Sequence, residues 1–348
     1  MRYFNINPTQ LHKISRPKNK YFEQALDFCI EWQRGQTEFV RHTSGSTGEP
    51  KSIKLTRQQI QASITLTRKS LGLNSDFCSL ICLNVNYIAG TMMLARAMEI
   101  GMDMIVVEPS ANPLANIPTN LKIDFVAFVP LQIQTMIEAG LTDRLNNLKV
   151  IIVGGAVVSK SLSAAIQTLC VPVYSTYGMT ETVSHVALQL LNTQNRSDFY
   201  SILDGILADT DERKCLKICG QVTNNQWIQT NDVIEWQGEQ EFKIIGRADN
   251  IINSGGIKIQ LEKVENAIGE VWNRTERYYC WWQADEQLGQ SLVLIVESPL
   301  LYFELPSGLE VYLSKYEIPK IIYTTAKFNE TSSSKIDKKA TFEAIKKQ

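Results

Sequence analysis

Apolar runs of strand length alternate with helical patterns over the first half of the chain. Helices are predicted at Ile88–Ile100 and Ser159–Leu169, and strands at Phe77–Leu83, Met104–Val107, Asp124–Val129 and Val150–Val153. Pro130 marks a further helix start and Gly140 its end. Such alternation is typical of βαβ units, in which helices cover both faces of a parallel sheet. The sequence therefore predicts an α/β fold with a doubly wound, mostly parallel sheet.

The pattern changes after Val186. Short alternating strands are predicted there, at Cys215–Cys219, Trp227–Thr230, Val233–Trp236 and Phe242–Ile245. They indicate a β-rich subdomain, either antiparallel or barrel-like. After Gly246 the composition changes again, with a predicted helix at Leu261–Ile268, two strand-like runs and a lysine-rich end. We therefore predict two domains, a large one over residues 1–246 and a small α+β one over residues 247–348.

Composition excludes some classes of partner. The 348 residues carry a net charge of −1, which gives no reason to expect nucleic acid or an anionic membrane as a partner. No apolar run is long enough to span a membrane, and the polar start is unlike a signal peptide, so we expect a cytoplasmic protein. The pairs Cys78/Cys82 and Cys215/Cys219 lack zinc-site spacing, which favours buried, reduced thiols.

Residues 43–51 combine hydroxyls, glycines and a lysine within one short segment. The residues that could bind an anion are Thr43, Ser44, Gly45, Ser46, Thr47, Gly48 and Lys51. Glycines let backbone N–H groups approach a ligand, and the hydroxyls and lysine add donors that suit a polyphosphate. The segment is not a Walker A loop, because Pro50 stands where that motif needs glycine. A polar surface turn is the alternative. Thr56 and Gln59 then predict a capping box that opens a helix.

The segment T-S-G-S-T-G-E-P-K resembles the phosphate loop of the adenylate-forming superfamily, which includes acyl- and aryl-CoA ligases, peptide-synthetase adenylation domains and luciferases. The resemblance implies that ATP and Mg²⁺ bind, that a carboxylic acid is adenylated, and that CoA is the co-substrate. It also implies a mobile C-terminal domain. The other motifs of the superfamily follow in order.

Two motifs resemble the superfamily's adenine and magnesium sites. Gly154, Gly155 and Ala156 match the glycine-rich turn beside the adenine, although a plain βα turn is the alternative. The segment Y-G-M-T-E then places Tyr177 and Gly178 along the adenine, Thr180 at the phosphate and Glu181 on magnesium. A magnesium ion that bridges phosphate oxygens lowers the repulsion between a carboxylate and the α-phosphate.

Two further motifs resemble the ribose clamp and the interdomain hinge. Asp232 matches the aspartate that binds the ribose hydroxyls, with Asn231 in place of the usual glycine. If that position needs a positive φ, asparagine tolerates it well. Arg247 matches an arginine near the ribose, and Asp249 matches the pivot of the C-terminal domain. The glycine loop that meets the CoA thiol matches Ser254, Gly255 and Gly256. A plain interdomain linker is the alternative.

Near the end, N-E-T-S-S-S-K-I-D resembles the segment that carries the mobile catalytic lysine, which here is Lys335. A cation aimed at the reacting carboxylate and α-phosphate contributes about a hundred- to a thousandfold in rate. The alternative is that Lys335 belongs to a solvated lysine-rich tail. Only 42 residues precede the phosphate loop, fewer than in most of the superfamily. We therefore expect part of the first subdomain to be missing and a homo-oligomer to compensate.

The substrate is indicated by local resemblance alone. The segments F-V-A-F-V-P-L-Q-I-Q and Y-G-M-T-E-T-V-S-H resemble o-succinylbenzoate–CoA ligases of menaquinone biosynthesis. That resemblance places Tyr87, Gly90 and His185 around the acyl group, although His185 is equally suited to a structural role. Three alternatives remain: another aryl- or fatty acid–CoA ligase, a stand-alone adenylation enzyme that serves a carrier protein, and an inactive nucleotide-binding regulator.

Overall fold

The computed structural model describes residues 2–42, 52–115, 117–272, 274, 276–300, 302–330 and 336–347. The chain divides into two compact units. The first comprises Met1–Ala208, Ile218–Ile228 and Trp236–Lys243, and the second comprises Asp209–Lys217, Gln229–Glu235 and Ile244–Gln348. The second unit thus takes in two segments that precede the predicted boundary at residue 247, which itself stays a prediction.

The first unit alternates strands and helices as the sequence predicts. Its strands are β1 (Phe4–Ile6), β2 (Glu38–His42), β3 (Ser52–Thr56), β4 (Cys78–Ile81), β5 (Asp103–Val106), β6 (Phe125–Phe128), β7 (Val150–Val153), β8 (Val173–Gly178), β9 (His185–Leu190) and β10 (Tyr200–Ile202). Its helices are α1 (Lys20–Gln33), α2 (Arg57–Leu71), α3 (Ile88–Ile100), α4 (Pro130–Glu138), α5 (Thr142–Asn146) and α6 (Lys160–Ile166).

Local capping explains where the helices start and stop. The side chains of Thr56 and Gln59 form the predicted capping box of α2, and Gly72 ends that helix in the left-handed conformation. The Ser159 hydroxyl accepts the Leu162 N–H at the start of α6. Gly140 follows α4 with a φ of +73°, as predicted for a helix stop.

The large sheet has two apolar faces. Strands β5, β4, β6, β7 and β8 lie side by side in parallel, and β1 and β9 flank them antiparallel. Successive residues of β6 point to opposite faces: Phe125 and Ala127 join one core with α1, α2 and α3, whereas Val126 and Phe128 join another with α4, α5 and α6. The predicted doubly wound α/β fold is confirmed.

The strands after Val186 belong to the same sheet, and β10 pairs antiparallel with β9, as one of the two predicted alternatives has it. They are β11 (Leu207–Thr210), β12 (Cys215–Cys219), β13 (Ile228–Gln237) and β14 (Glu241–Arg247). From β10 the strand order continues through β14, β13, β12 and β11. The two short strands predicted around residue 231 are one continuous strand, β13. Asn231 is extended there and is absent from the residues with positive φ.

The second unit holds a smaller sheet. It comprises β15 (Ile251–Ser254), β16 (Ile257–Gln260), β17 (Tyr278–Asp285), β18 (Gly289–Glu297), β19 (Ile321–Thr325), α7 (Leu261–Val271) and α8 (Lys338–Lys346). The strand order is β16–β15–β18–β17, and β19 pairs with β18 in parallel. Buried Val264 and Ile268 of α7 pack against this sheet. The predicted α+β composition of the end of the chain is confirmed.

Two predictions from the sequence concern the cysteines, which are expected to be buried, reduced thiols, and the length of the apolar runs, which is expected to be too short for a membrane span. All seven cysteines are free thiols, and Cys82, Cys215 and Cys219 are buried, whereas Cys78 is partly exposed. Burial raises the pKa of the Cys82 thiol. Among the described residues, no helix combines the length and the apolarity that a membrane crossing requires.

Candidate active site

The predicted phosphate loop joins two paired strands. β2 and β3 run antiparallel, from the pair Glu38 and Thr56 to the pair His42 and Ser52. The loop residues Thr43, Ser44, Gly45, Ser46, Thr47, Gly48 and Lys51 lie outside the described residues, as does Lys335. The positions predicted for these residues therefore stay predictions.

The predicted adenine turn and the Y-G-M-T-E segment meet at the carboxyl edge of the parallel strands. Gly154 follows β7, and its N–H donates to the Phe128 carbonyl (3.1 Å). A Cβ at Gly154 would stand 2.2 Å from the Thr176 hydroxyl of β8, so a larger residue fits there only if the Thr176 side chain moves. In α/β sheets, ligands bind at the carboxyl ends of parallel strands. The neighbouring Tyr177 ring is buried and makes edge contacts with Tyr200 and Phe242.

A strained turn follows β8. Val183 has φ +66° and ψ −54°, and the Ser184 N–H donates to the Thr182 carbonyl (2.7 Å), which together define a γ-turn. Such backbone is unfavourable for a β-branched residue and concentrates at functional sites. A Cβ at Gly178 would stand 2.2 Å from the Ser184 carbonyl oxygen, so the segment folds back closely on β8. This turn fixes Ser184 beside Gly178.

Glu181 and Thr180 lie in the 3-10 turn Thr180–Thr182 that precedes this γ-turn. The Glu181 side chain is exposed. Among the described residues, no three His, Cys, Asp or Glu side chains gather as a metal site. Magnesium in nucleotide sites is usually held by one or two carboxylates together with substrate phosphates. A single exposed carboxylate at Glu181 fits that chemistry.

Arg96 of α3 is a buried charge that sequence reasoning missed. Arg96 is 2% exposed, and with described residues its side chain makes three polar contacts: Nε to the Thr67 hydroxyl (3.3 Å), Nη2 to the Ser184 hydroxyl (2.7 Å) and Nη1 to the Met93 sulfur (3.9 Å). No carboxylate in the described part of the chain pairs with it. Burial lowers the pKa of Arg96 to about 10, which still leaves it charged at neutral pH. One arginine inside the apolar run of α3 is the sequence signal that could have revealed it.

His185 joins the same cluster. Its Nε2 lies 3.0 Å from the Thr67 hydroxyl, and the ring is 3% exposed. Burial, and then the positive charge of Arg96, lower the pKa of His185 well below its ordinary value. We call Thr67, Arg96, Ser184 and His185 the Arg96 cluster. Among the described residues, this buried site holds one positive charge without a carboxylate partner, and its hydrogen-bonding neighbours are neutral.

The other predicted acyl-site residues lie at the start of α3. Tyr87 precedes the helix, and Gly90 is buried in its first turn. A Cβ at Gly90 would stand 2.3 Å from the Asn84 carbonyl oxygen, so glycine lets α3 pack directly against that backbone. This close packing explains the glycine, and a contact of Tyr87 or Gly90 with the acyl group stays a prediction.

In the second unit the predicted ribose clamp and hinge are connected through Arg247. Its guanidinium donates to both carboxylate oxygens of Asp249 (2.9 and 2.8 Å) and to Asp232 (3.0 Å). Burial raises the pKa of Asp249, but the hydrogen bonds and charge of Arg247 outweigh it and lower the pKa overall. Ser254 ends β15, and Gly255 and Gly256 follow with positive φ as the turn of the β15–β16 hairpin.

Comparisons with known proteins decide the family. The family model described as AMP-binding enzyme matches residues 14–226. The chain belongs to the AMP-binding enzyme family. A Dyadobacter fermentans structure, described as an acyl-CoA synthetase (AMP-forming)/AMP-acid ligase II-like protein, is 46% identical to this AMP-binding enzyme, with 99% of each chain covered and a TM-score of 0.69.

Two other relatives of this AMP-binding enzyme have a named substrate. The 2-succinylbenzoate–CoA ligase of Oceanobacillus iheyensis is 23% identical over 85% of this chain and 68% of its own length. An o-succinylbenzoate–CoA synthetase from Bacillus subtilis, solved with ATP and magnesium, shares the fold at 20% identity and a TM-score of 0.71, with 87% of this chain and 69% of that chain covered. The chain therefore spans about two thirds of the length of both proteins. The family match over residues 14–226, together with the curated relative, confirms the superfamily predicted from the motifs.

The buried, neutral state of His185 predicts a pH-dependent stability. Below about pH 6.5 the unfolded chain binds a proton at residue 185 that the folded chain does not, so stability falls by up to about 1.4 kcal/mol per pH unit from this group. His185→Gln removes that contribution. Urea unfolding at pH 7.5 and 5.5 is therefore expected to show a shallower loss of stability for the variant than for the wild type. Equal slopes would mean that His185 binds protons equally in the folded and the unfolded chain. His12→Gln, at an exposed site, is the control.

Proposed function

We propose that this AMP-binding enzyme is an acid–CoA ligase whose substrate carries two carboxylates, and that o-succinylbenzoate is that acid. One observation carries the proposal: Arg96 is a fully buried cation with no acidic partner among the described residues. A buried charge is costly unless a counter-charge compensates it. A substrate with a second carboxylate supplies that counter-charge, and a simple fatty acid does not.

The reaction proceeds in two steps. The succinyl carboxylate attacks the α-phosphate of ATP, the bond to pyrophosphate breaks, and an acyl-adenylate forms. The CoA thiol then attacks the acyl carbon, and AMP leaves with the electrons of the broken acyl–oxygen bond. The carboxylate on the ring takes no part in either step, and Arg96 holds it during both. This charge pairing orients the acid, which is the usual contribution of a fixed guanidinium.

The remaining roles are proposed from the motifs. Glu181 would hold the magnesium ion that ATP brings, and Thr180 would bind phosphate. The loop of residues 43–48 with Lys51 cradles the phosphates, while Gly154, Gly155, Ala156, Tyr177 and Gly178 line the adenine. Asp232 and Arg247 bind the ribose, and Lys335 reaches the α-phosphate. Magnesium supplies charge neutralisation between the two anions that must meet.

Purified protein with ATP, Mg²⁺, CoA and o-succinylbenzoate is expected to yield the CoA thioester, AMP and pyrophosphate. Pyrophosphate exchange across a panel of carboxylic acids tests the substrate independently of CoA. Exchange with fatty or monocarboxylic aryl acids but not with o-succinylbenzoate would refute the assignment of the acid. Nucleotide binding without any acid-dependent exchange would indicate a regulator instead of an enzyme.

A further inference from the structure

The hydroxyl of Thr67 lies at the centre of the Arg96 cluster. It is 3.0 Å from His185 Nε2, 3.3 Å from Arg96 Nε and 3.1 Å from the Ser63 carbonyl oxygen one turn back along α2. Thr67 itself is fully buried. One hydroxyl on α2 therefore connects α3 with the first residue of β9.

The hydrogen-bonding capacity of this hydroxyl determines which ring nitrogen of His185 carries the proton. A hydroxyl has one proton to donate and two lone pairs that accept. Arg96 Nε always donates, so it occupies one lone pair. The Ser63 carbonyl can only accept, so it takes the hydroxyl proton. All three contacts are hydrogen bonds only if His185 donates its Nε2–H to the second lone pair.

We infer that Thr67 is the positioning residue of the acid site, because it orients the Arg96 guanidinium and fixes the His185 proton on Nε2. The part that concerns the acid depends on the proposed function, whereas the tautomer does not. Nδ1 of His185 is then the unprotonated nitrogen, which can only accept a hydrogen bond. The ring as a whole is neutral, in agreement with the lowered pKa of His185.

Thr67→Val tests this role with little change in shape. The variant leaves the Arg96 Nε–H and the His185 Nε2–H without an acceptor, so both side chains lose a constraint on their orientation. Because hydrogen bonds to charged groups are the stronger ones, we expect KM for o-succinylbenzoate in pyrophosphate exchange to rise about ten- to a hundredfold. The KM for ATP should change little. Thr67→Ser keeps the hydroxyl and should restore most of the affinity.

Ser63→Ala is the matched control. Ser63 is fully buried on the same face of α2, one turn from Thr67, and its hydroxyl has no hydrogen-bond partner in the described part of the chain. Its backbone carbonyl, which accepts the Thr67 proton, is unchanged by the substitution. This variant should keep the wild-type KM. If Thr67→Val and Ser63→Ala raise KM alike, general packing of α2 explains the effect and the positioning role is wrong.

The tautomer is measured without any substrate. The chain has three histidines, so ¹⁵N-histidine labelling gives a simple spectrum in which His185→Gln assigns the signals of residue 185. The expected wild-type pattern is a protonated Nε2 and an unprotonated Nδ1 that persist from pH 8 to pH 5.5. A protonated Nδ1 would overturn the inference even if the enzyme uses o-succinylbenzoate. Conversely, the expected tautomer in a protein that does not activate this acid would refute the proposed function alone.

Discussion

Arg96→Met is expected to remove most activity with o-succinylbenzoate while the protein stays folded. Truncating one member of a buried charge pair costs about 2–5 kcal/mol, which corresponds to a loss of about 30- to 5,000-fold in kcat/KM. The folded state should not suffer, because replacing an uncompensated buried charge by an apolar side chain of similar length is often neutral or stabilising. Pyrophosphate exchange and thermal melting measure the two quantities separately.

The selectivity of this loss distinguishes substrate binding from structural support. An analogue of o-succinylbenzoate without the ring carboxylate has no group for Arg96 to pair with, so Arg96→Met should use it as well as the wild type does. Arg96→Lys keeps the charge but cannot make the forked contacts with Thr67 and Ser184. Its activity with o-succinylbenzoate should therefore lie between that of the wild type and that of Arg96→Met. An equal loss for both acids, together with a lower melting temperature, would mean that Arg96 supports the fold only.

Asp249→Pro is expected to separate the two half-reactions. We propose that the chain bends at Asp249 between adenylation and thioester formation, because the same acyl carbon must face first ATP and then a thiol. Hinges act through a few residues that absorb large changes in φ and ψ, and proline fixes φ near −65°. The variant should keep pyrophosphate exchange, while thioester formation should fall by orders of magnitude.

The ion pair at this position requires a control. Both carboxylate oxygens of Asp249 bond to Arg247, so proline removes these contacts as well as the backbone freedom. Asp249→Ala removes only the contacts, and each exposed or half-exposed ion pair of this kind contributes about 0–1 kcal/mol. The alanine variant should therefore retain both steps. A loss of thioester formation in both variants would assign the effect to the ion pair and not to bending.

Local signals explain which parts of the fold could be predicted. Helix α3 has its predicted bounds, and the structure shows a local reason for its end, because Gly101 stops it in the left-handed conformation. The capping box at Thr56 located the start of α2 in the same way. By contrast, Asn231 and Asp232 suggested a turn, but the sheet keeps them extended, because pairing with neighbouring strands overrides a weak local preference.

The Arg96 cluster could not be predicted because its contacts are not local. Thr67, Arg96 and Ser184 lie on different elements, and their meeting depends on how α2 and α3 pack against the sheet. No periodic pattern in the sequence encodes the γ-turn at Val183 that brings Ser184 to the guanidinium. The sequence did contain His185 as a candidate, but its neutral state follows from burial beside Arg96, which only the fold reveals.

We propose that Arg96 receives the second carboxylate of the acid. A crystal structure of the protein with a non-hydrolysable analogue of the o-succinylbenzoyl adenylate would show where this carboxylate binds. We expect the ring carboxylate within hydrogen-bonding distance of the Arg96 guanidinium, with the Thr67 and Ser184 contacts to that side chain retained. A ring carboxylate bound elsewhere, with Arg96 still enclosed and without an anionic partner, would contradict it.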